Sequence, residues 1–438
     1  MPPANVSTTV SSPTNIAVIK YWGKRDGKLN LPINSSVSVT IDQADLCTTT
    51  TVTASASFDR DRLWLNGEEE DVEGNKRVQR VLKEVRARAG ELRDASIGRV
   101  LVKRDEWPQM RVHVVSKNNF PTAAGLASSA AGYAALAFAL AKLHGVEESY
   151  EGELSTLARI GSGSACRSLH GGFTAWDMGA AADGSDSKAR LVAPAEHWPE
   201  LKVLILVVSD SKKAVSSTAG MQTSVETSPL LAHRAAAVVP DRMVQMEAAY
   251  MRRDFGAFAT LAMADSNQFH ATCLDTQPPI FYLNDTSRAV IQLCHALNDA
   301  MGEVVVGYTF DAGPNAVLLC RDTHMPAVLA CVMWAFPSAA PGFVNKPEIA
   351  AAARAAGVPD GVAARFRLTL PGAIKYVYAT GIGPGATVLP PAASLADADG
   401  MPLETAARAA STPPTRGTLL TLAAALGVIA GVCALRKW

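Results

Sequence analysis

Residues 124–143 run through twenty positions with one charge, Lys142, and mostly alanine or leucine. A helix that is apolar around its whole circumference belongs inside a protein, not on its surface. The rest of the chain must therefore supply elements to cover it. Residues 16–19, 36–40 and 48–53 are β-branched runs and read as strands. Residues 61–65 read as a strand ending in the Asn66-Gly67 turn. Residues 74–90 are charged and periodic, which predicts a surface helix. An alternating strand is expected over 110–116 and a buried one over 203–208. Residues 228–265 read as helical, punctuated by Pro240. Paired strands are expected at 303–310 and 316–319, with a last strand at 373–379. Strands and helices interleave without regular βαβ spacing, so the class is α+β. Residues 1–12, rich in Ser, Thr and Pro, are expected to be a flexible lead, and the chain beyond 389 reads as linker.

The chain has 438 residues, enough for two or three domains at roughly 150 each. Lys plus Arg (41) balances Asp plus Glu (41), and 48% of residues are hydrophobic. That composition excludes global disorder, and it argues against a polybasic nucleic-acid binder. Charges recur through almost the whole chain, which argues against a multi-pass membrane protein. The seven cysteines form no CxxC or Cys/His ligand pattern, so they read as reduced thiols rather than a zinc site. The N-terminus lacks a basic region followed by an apolar one and does not read as a secretory signal. The C-terminus differs. Residues 417–435 carry no charge and are flanked by Arg416 and by Arg436-Lys437-Trp438. As a helix this segment would span about 28 Å, close to a hydrocarbon core of roughly 30 Å. It reads as a transmembrane tail anchor, though its alanines, glycines and threonines also suit a buried helix.

Four segments carry candidate chemistry. Residues 121–132 (PTAAGLASSAAG) form a small-residue loop running into the apolar helix, where backbone N–H groups can approach a phosphate. It has no Walker A lysine, and a close-packed helix start has the same composition. Residues 15–25 (NIAVIKYWGKR) are an apolar strand ending in Lys20, Lys24 and Arg25, interleaved with Tyr21 and Trp22, suited to a polyanion or to a solvated strand end. Residues 159–168 (RIGSGSACRS) place Arg167, whose fork matches a carboxylate or phosphate, in a Gly/Ser loop. Residues 308–316 (YTFDAGPNA) set Asp311 at a strand end beside a Gly-Pro turn, as a general base or as a turn-forming residue.

Together with residues 265–272 (DSNQFHAT), these stretches resemble the mevalonate diphosphate decarboxylase (diphosphomevalonate decarboxylase) family of the GHMP superfamily of small-molecule kinases. The resemblance runs from about Asn15 to about Leu389. It implies a two-domain GHMP-kinase-like fold: a ribosomal S5-like N-terminal domain over 13–200 and a C-terminal GHMP domain over 201–389. A linker over 390–416 and an apolar helix over 417–435 would follow. The implied reaction is ATP-dependent 3-phosphorylation and decarboxylation of mevalonate 5-diphosphate, giving isopentenyl diphosphate, ADP, phosphate and CO2, in isoprenoid and sterol biosynthesis.

By the same resemblance, Asp311, Lys20 and Arg167 would be catalytic. Asp311 would take or orient the hydroxyl proton, Lys20 would support Asp311 and bridge to the transferring phosphate, and Arg167 would hold the C1 carboxylate. Tyr21, Trp22, Lys24, Ser162, Ser164 and Ser217 would bind substrate. Asn118, Gly125, Leu126, Ala127, Ser128, Ser129 and Ala130 would hold ATP, with Ser128 and Ser129 also facing Mg2+. Lys212 and Lys213 are candidates for electrostatic support, or else a solvated pair. His270 is expected to be structural and Cys166 to be a buried thiol. A homodimer and no nucleic-acid partner are implied. The catalytic body is expected to be cytoplasmic, with the tail anchored at the endoplasmic reticulum, a peroxisome-like organelle or the outer mitochondrial membrane. Two alternatives stay open: a relative that acts on mevalonate or its monophosphate as a 3-kinase, stopping at phosphorylation, or as a decarboxylase, and a non-catalytic, membrane-tethered binding module of the GHMP fold.

Overall fold

The computed structural model describes residues 5–94, 96–120, 128–209 and 214–403. Three larger sheets organise them. The first has six strands in the order Thr387–Val388, Val6–Pro13, Cys47–Ser55, Arg111–Asn118, Arg62–Leu65, Glu68–Glu70. Its spine, Cys47–Ser55, is a run of threonines and other strand-favouring residues. It pairs antiparallel with Val6–Pro13 on one side and Arg111–Asn118 on the other. The Asn66-Gly67 turn forms as predicted, both residues taking positive φ (52° and 88°).

Two helices cover one face of this sheet. Lys76–Ala87 buries Val78, Val81, Leu82 and Val85, a helical stripe, and the Asn75 side chain caps its first turn. Ser128–Leu143 is the predicted all-round apolar helix, with ten of its residues buried. It lies between that sheet and the helix Glu153–Gly161.

The second sheet runs Ala189–Ala193, Phe173–Trp176, Ser36–Thr40, Asn15–Ile19. The third runs Val306–Phe310, Ala316–Arg321, Leu201–Val207, Tyr376–Gly381. Alternation along Leu201–Val207 sorts its side chains. Val203, Ile205 and Val207 join Ile16, Val18 and Val39 in one core. Leu204 and Leu206 join Val290, Leu318 and Leu329 in another. Cover on both faces explains the uninterrupted apolar run in the sequence. The two halves of the molecule thus share a dry core, and the ends of their strands meet at one place.

Several expectations are corrected. The segment read as a flexible lead over 1–12 holds the strand Val6–Pro13, paired along eight positions with Cys47–Ser55. Its hydroxyl-rich pattern hid a strand whose stability comes from partners distant in sequence. The segment read as linker over 390–416 is packed as far as it is described. Leu395, Ala396 and Met401 cover Trp64 and Val115, and the Leu395 N–H donates to Thr51 Oγ1 at 2.9 Å. Pro240 punctuates its helical stretch as expected: a π-helical turn over Arg234–Val238 gives way there to the α-helix Val239–Met251, with the proline in its first turn, where its missing N–H leaves no intrahelical bond unmade. A full break comes later, at 252–254, where Arg253 takes φ 55°. The apolar tail at 417–435 lies outside the described residues. Among the described residues no helix is long and apolar enough to cross a membrane.

The packed extension has a measurable consequence. A chain ending at Leu389 should be less stable than one ending at Leu403 by about 2–3 kcal/mol, the worth of one or two buried apolar side chains. Urea midpoints of the two purified proteins check this, and equal midpoints would show that residues 390–403 add nothing.

Candidate active site

Two strand ends from different sheets bring the central pair together. Lys20 directly follows Asn15–Ile19, and Asp311 directly follows Val306–Phe310. The Lys20 Nζ donates to Asp311 Oδ1 at 2.7 Å. The lysine side chain is 3% exposed and the aspartate 38%, so the pair has a buried end and an end open to a ligand. Burial pulls the Lys20 ammonium below the ordinary lysine value, and the Asp311 carboxylate opposes that shift.

The Lys20 backbone is clamped on both sides. Its N–H donates to Asp265 Oδ2 at 2.7 Å, and its carbonyl accepts from Asn34 Nδ2 at 3.0 Å and Arg234 Nη2 at 3.3 Å. Arg234 and Asp265 are a fully buried bidentate pair, with both contacts at 2.8 Å.

This pair opens into a cleft of about 520 Å³. Of the residues predicted from sequence, Lys20, Tyr21, Trp22, Lys24, Ser128, Ser129, Ala130, Ser162, Ser164, Arg167, Ser217 and Asp311 line it. Arg167 is buried. Its Nε donates to Asn15 Oδ1 and Ser38 Oγ and its Nη1 to Ser36 Oγ, all neutral oxygens. Among the described residues no carboxylate lies within ion-pair reach of it. A buried guanidinium with only neutral partners is poised for an anionic ligand.

Tyr21 packs on Trp176 with ring centroids 4.7 Å apart, and its buried hydroxyl has no hydrogen-bond partner among the described residues. Burial pushes that phenol well above its usual value, so it remains a donor. Gly163 makes this possible: a Cβ there would lie 2.8 Å from the Tyr21 oxygen and 2.9 Å from Trp176. Trp22 forms wall rather than contact surface, its indole N–H donating to Ser224 Oγ at 2.9 Å. Lys24 Nζ donates to Asn30 Oδ1 at 2.6 Å. Arg25 turns away to the carbonyls of Met178, Gly179 and Ala181. Ser217 begins the helix Ser217–Thr227, capped by Ser216.

Asn118 does not reach this cleft. It lines an adjoining, mainly apolar cavity of about 240 Å³, which shares Ser128 and Ser129 with the first. Gly125, Leu126 and Ala127, with Lys212 and Lys213, lie outside the described residues. Burial pushes the Cys166 thiol up to about 12 and draws His270 down to about 3, so the thiol stays protonated and the imidazole neutral. Neither is a reactive group at neutral pH.

Sequence reading missed three contributors. Asn15 opens an apolar strand as its one polar residue, and it both holds Arg167 and donates to Ser168 Oγ at 2.7 Å. Arg77 and Arg80, three apart on Lys76–Ala87, also line the cleft, and Arg77 Nη2 donates to Ser129 Oγ at 3.0 Å. Their i, i+3 spacing opposite the apolar stripe was the available signal, but it does not say what the polar face meets.

Comparison with known proteins finds relatives along nearly the whole of the described chain. Residues 12–189 match the diphosphomevalonate decarboxylase-like N-terminal domain, and residues 203–389 match the mevalonate 5-diphosphate decarboxylase C-terminal domain. The diphosphomevalonate decarboxylase of Rattus norvegicus is 53% identical over 403 residues, covering 91% of this chain and 98% of its own. The solved mevalonate diphosphate decarboxylase from Trypanosoma brucei is 38% identical with a TM-score of 0.81, covering 89% of this chain and 100% of its own. A protein abbreviated MDDEF, solved in complex with MVAPP, AMPPCP and magnesium, is 31% identical with a TM-score of 0.66, covering 88% of this chain and 99% of its own.

The cations around Lys24 give a pH test. Burial first, then Arg77 and Arg80, hold its ammonium down to about 8. An anion bound beside it raises that value again, so binding above pH 8 takes up a proton. With inorganic pyrophosphate as the probe, the affinity of the native chain should fall relative to Lys24→Arg as pH rises through about 8. Calorimetry in buffers of different ionisation heat reads both the affinity and the proton. Parallel pH profiles for the two proteins would exclude Lys24 as the titrating group.

Proposed function

The chain belongs to the diphosphomevalonate decarboxylase family, and from that premise we propose how its own side chains carry the reaction. It is an enzyme of the mevalonate pathway on the two-domain α+β GHMP-kinase-like fold. It uses ATP to convert mevalonate 5-diphosphate to isopentenyl diphosphate. The single observation behind the residue assignment is the convergence of Asp311, Lys20 and Arg167, from three separate segments, on one cleft.

Asp311 orients the 3-hydroxyl of the substrate and accepts its proton as the γ-phosphoryl of ATP arrives. Lys20 holds that carboxylate in place through its 2.7 Å contact and offers positive charge to the transferring phosphoryl group. Arg167 takes the C1 carboxylate on its guanidinium fork. The C3–O bond then breaks with loss of phosphate, and the C1–C2 electron pair becomes the C2=C3 double bond as CO2 leaves. No redox group enters this balance. Lys24 and Tyr21, joined by Arg77 and Arg80, hold the 5-diphosphate. Ser162, Ser164 and Ser217 add hydroxyl contacts, and Trp22 closes the wall.

For ATP, Ser128, Ser129 and Ala130 stand at the first turn of a helix, where N–H groups favour phosphate. Gly125, Leu126 and Ala127 belong to the same proposal. Asn118, with Val78, Val114, Tyr133 and Leu136, frames the adjoining cavity as a place for the adenine. Mg2+ would neutralise charge on the phosphates. The donor set fits such an ion, because Ser128 and Ser129 bring two hard hydroxyl oxygens to the cleft. Magnesium often binds through nucleotide phosphates and water with few protein ligands, here the hydroxyls of Ser128 and Ser129.

Two readings rest on sequence alone. Residues 417–435 are read as a tail anchor from their uncharged length and basic flank, leaving the catalytic body in the cytoplasm. Fractionation of cells expressing the full chain and one ending at Leu403 tests this, and a soluble full-length chain would sink it. A homodimer is the family expectation, to be checked by sedimentation.

The mechanism is tested by supplying ATP, Mg2+ and mevalonate 5-diphosphate and following ADP and CO2 together. We expect Asp311→Asn to lose about 10²–10⁴-fold in kcat, the usual worth of a positioned acid or base. Arg167→Gln should lose CO2 and ADP together unless phosphorylation survives without the carboxylate clamp, in which case ADP alone appears. Full turnover by Asp311→Asn would overturn the assignment. Activity on mevalonate 5-monophosphate at an equal rate would overturn the proposed role of Lys24, Arg77 and Arg80.

A further inference from the structure

The segment 265–272, distinctive in sequence, has no place in the mechanism so far. Its first two residues are almost inaccessible: Asp265 is 0% exposed and Ser266 1%. Neither lines the cleft. Yet they touch the two strands that deliver the reacting pair. Asp265 Oδ2 accepts the Lys20 N–H at 2.7 Å, and Ser266 Oγ accepts the Phe310 N–H, one residue before Asp311, at 3.0 Å.

We propose that Asp265 and Ser266 together form a positioning template that sets the Lys20–Asp311 contact. The strands Asn15–Ile19 and Val306–Phe310 belong to different sheets and share no ladder. Adjacent residues of one helix, with Cα atoms about 3.8 Å apart, hold the end of each. The helix, Phe255–Asp275, is 21 residues long and is packed into the core shared by both halves. It therefore acts as a rigid ruler between the two elements, which also touch directly where Thr309 Oγ1 donates to the Ala17 carbonyl at 3.4 Å.

The ion pair behind Asp265 fits this role better than a stabilising one. Arg234 binds both carboxylate oxygens, Arg242 adds a third contact at 3.0 Å, and Arg234 also reaches the Lys20 carbonyl. Replacing a buried ion pair with apolar side chains of similar shape is often neutral or stabilising. A carboxylate here costs desolvation, but it supplies a directed acceptor for one particular N–H. The Lys20 peptide is held at its N–H by Asp265 and at its carbonyl by Arg234 and Asn34, so its ammonium has little freedom to leave Asp311.

This inference rests on the reading that Lys20 and Asp311 carry the chemistry, and the test separates the two. In the full chain, Ser266→Ala removes one acceptor without opening a large cavity. We expect kcat to fall at least about tenfold, equivalent to about 1.4 kcal/mol of barrier. The KM values for ATP and mevalonate 5-diphosphate should stay within about twofold, which marks a transition-state rather than a binding effect. The melting temperature should move by no more than about 2–4 °C, as for a small perturbation in units of this size. Ser266→Thr, which keeps the acceptor oxygen, should recover most of kcat.

In an Asp311→Asn background, Ser266→Ala should add less than about twofold, because its effect runs through the residue already lost. A native kcat for Ser266→Ala, a loss that only tracks the unfolded fraction, or a fully additive loss on Asp311→Asn would each overturn the template. An active Asp311→Asn would instead overturn the underlying assignment.

Discussion

A lysine ammonium that is nearly inaccessible to water keeps its charge only if something replaces the water. In this molecule that something is Asp311, 2.7 Å away. The requirement reaches outward. Because the two residues lie at the ends of strands in separate sheets, the sheets must meet at a fixed offset. That in turn requires a dry interface on which they cannot slide. Val203, Ile205 and Val207 of one sheet and Ile16, Val18 and Val39 of the other supply it. Close-packed interiors resist small displacements, so the apolar core works as the frame of an electrostatic device.

The cleft divides its cations by how they are compensated. Lys20 faces a carboxylate. Arg234 and Arg242 are spent on Asp265. Arg167 has neutral acceptors, and Lys24 sits near two further arginines with only an asparagine oxygen as its hydrogen-bond partner among the described residues. Uncompensated charge therefore lies along the surface that a polyanionic substrate would follow, while compensated charge lies beneath it. A net charge of zero over the chain conceals this arrangement, because it is spatial.

What could be read from sequence followed the range of the forces involved. The apolar helix at 128–143, the turn at Asn66-Gly67 and the run at 203–207 announce themselves through local pattern, and they are where expected. The motifs around Lys20, Arg167 and Asp311 were legible because small residues and charges cluster where backbone must approach a ligand. Val6–Pro13 was not legible, since its serines and threonines owe their burial to strands far along the chain. Residues 390–403 failed for the same reason: an Ala/Pro-rich stretch reads as linker until Trp64 is seen beneath it. Arg77 and Arg80 sit on a helix whose periodicity reveals only its buried side. Arg234 is a lone charge in an alanine-rich run, and nothing local says that Asp265 waits 31 residues on.

The seam between Val6–Pro13 and Thr387–Val388 bears on how the chain is made. Ser11 and Thr387 are hydrogen-bonded at 3.0 Å across 376 residues of sequence. On a ribosome, one of the first strands to emerge must wait for nearly the last before its outer edge is covered. At about 5–20 residues per second that wait is about 20–75 s. An unpaired strand edge invites pairing with other chains for as long as it stays open. The N-terminal sheet of the nascent enzyme is therefore a transient client for whatever shields edges in the cell, and its own C-terminal segment finally takes over that task.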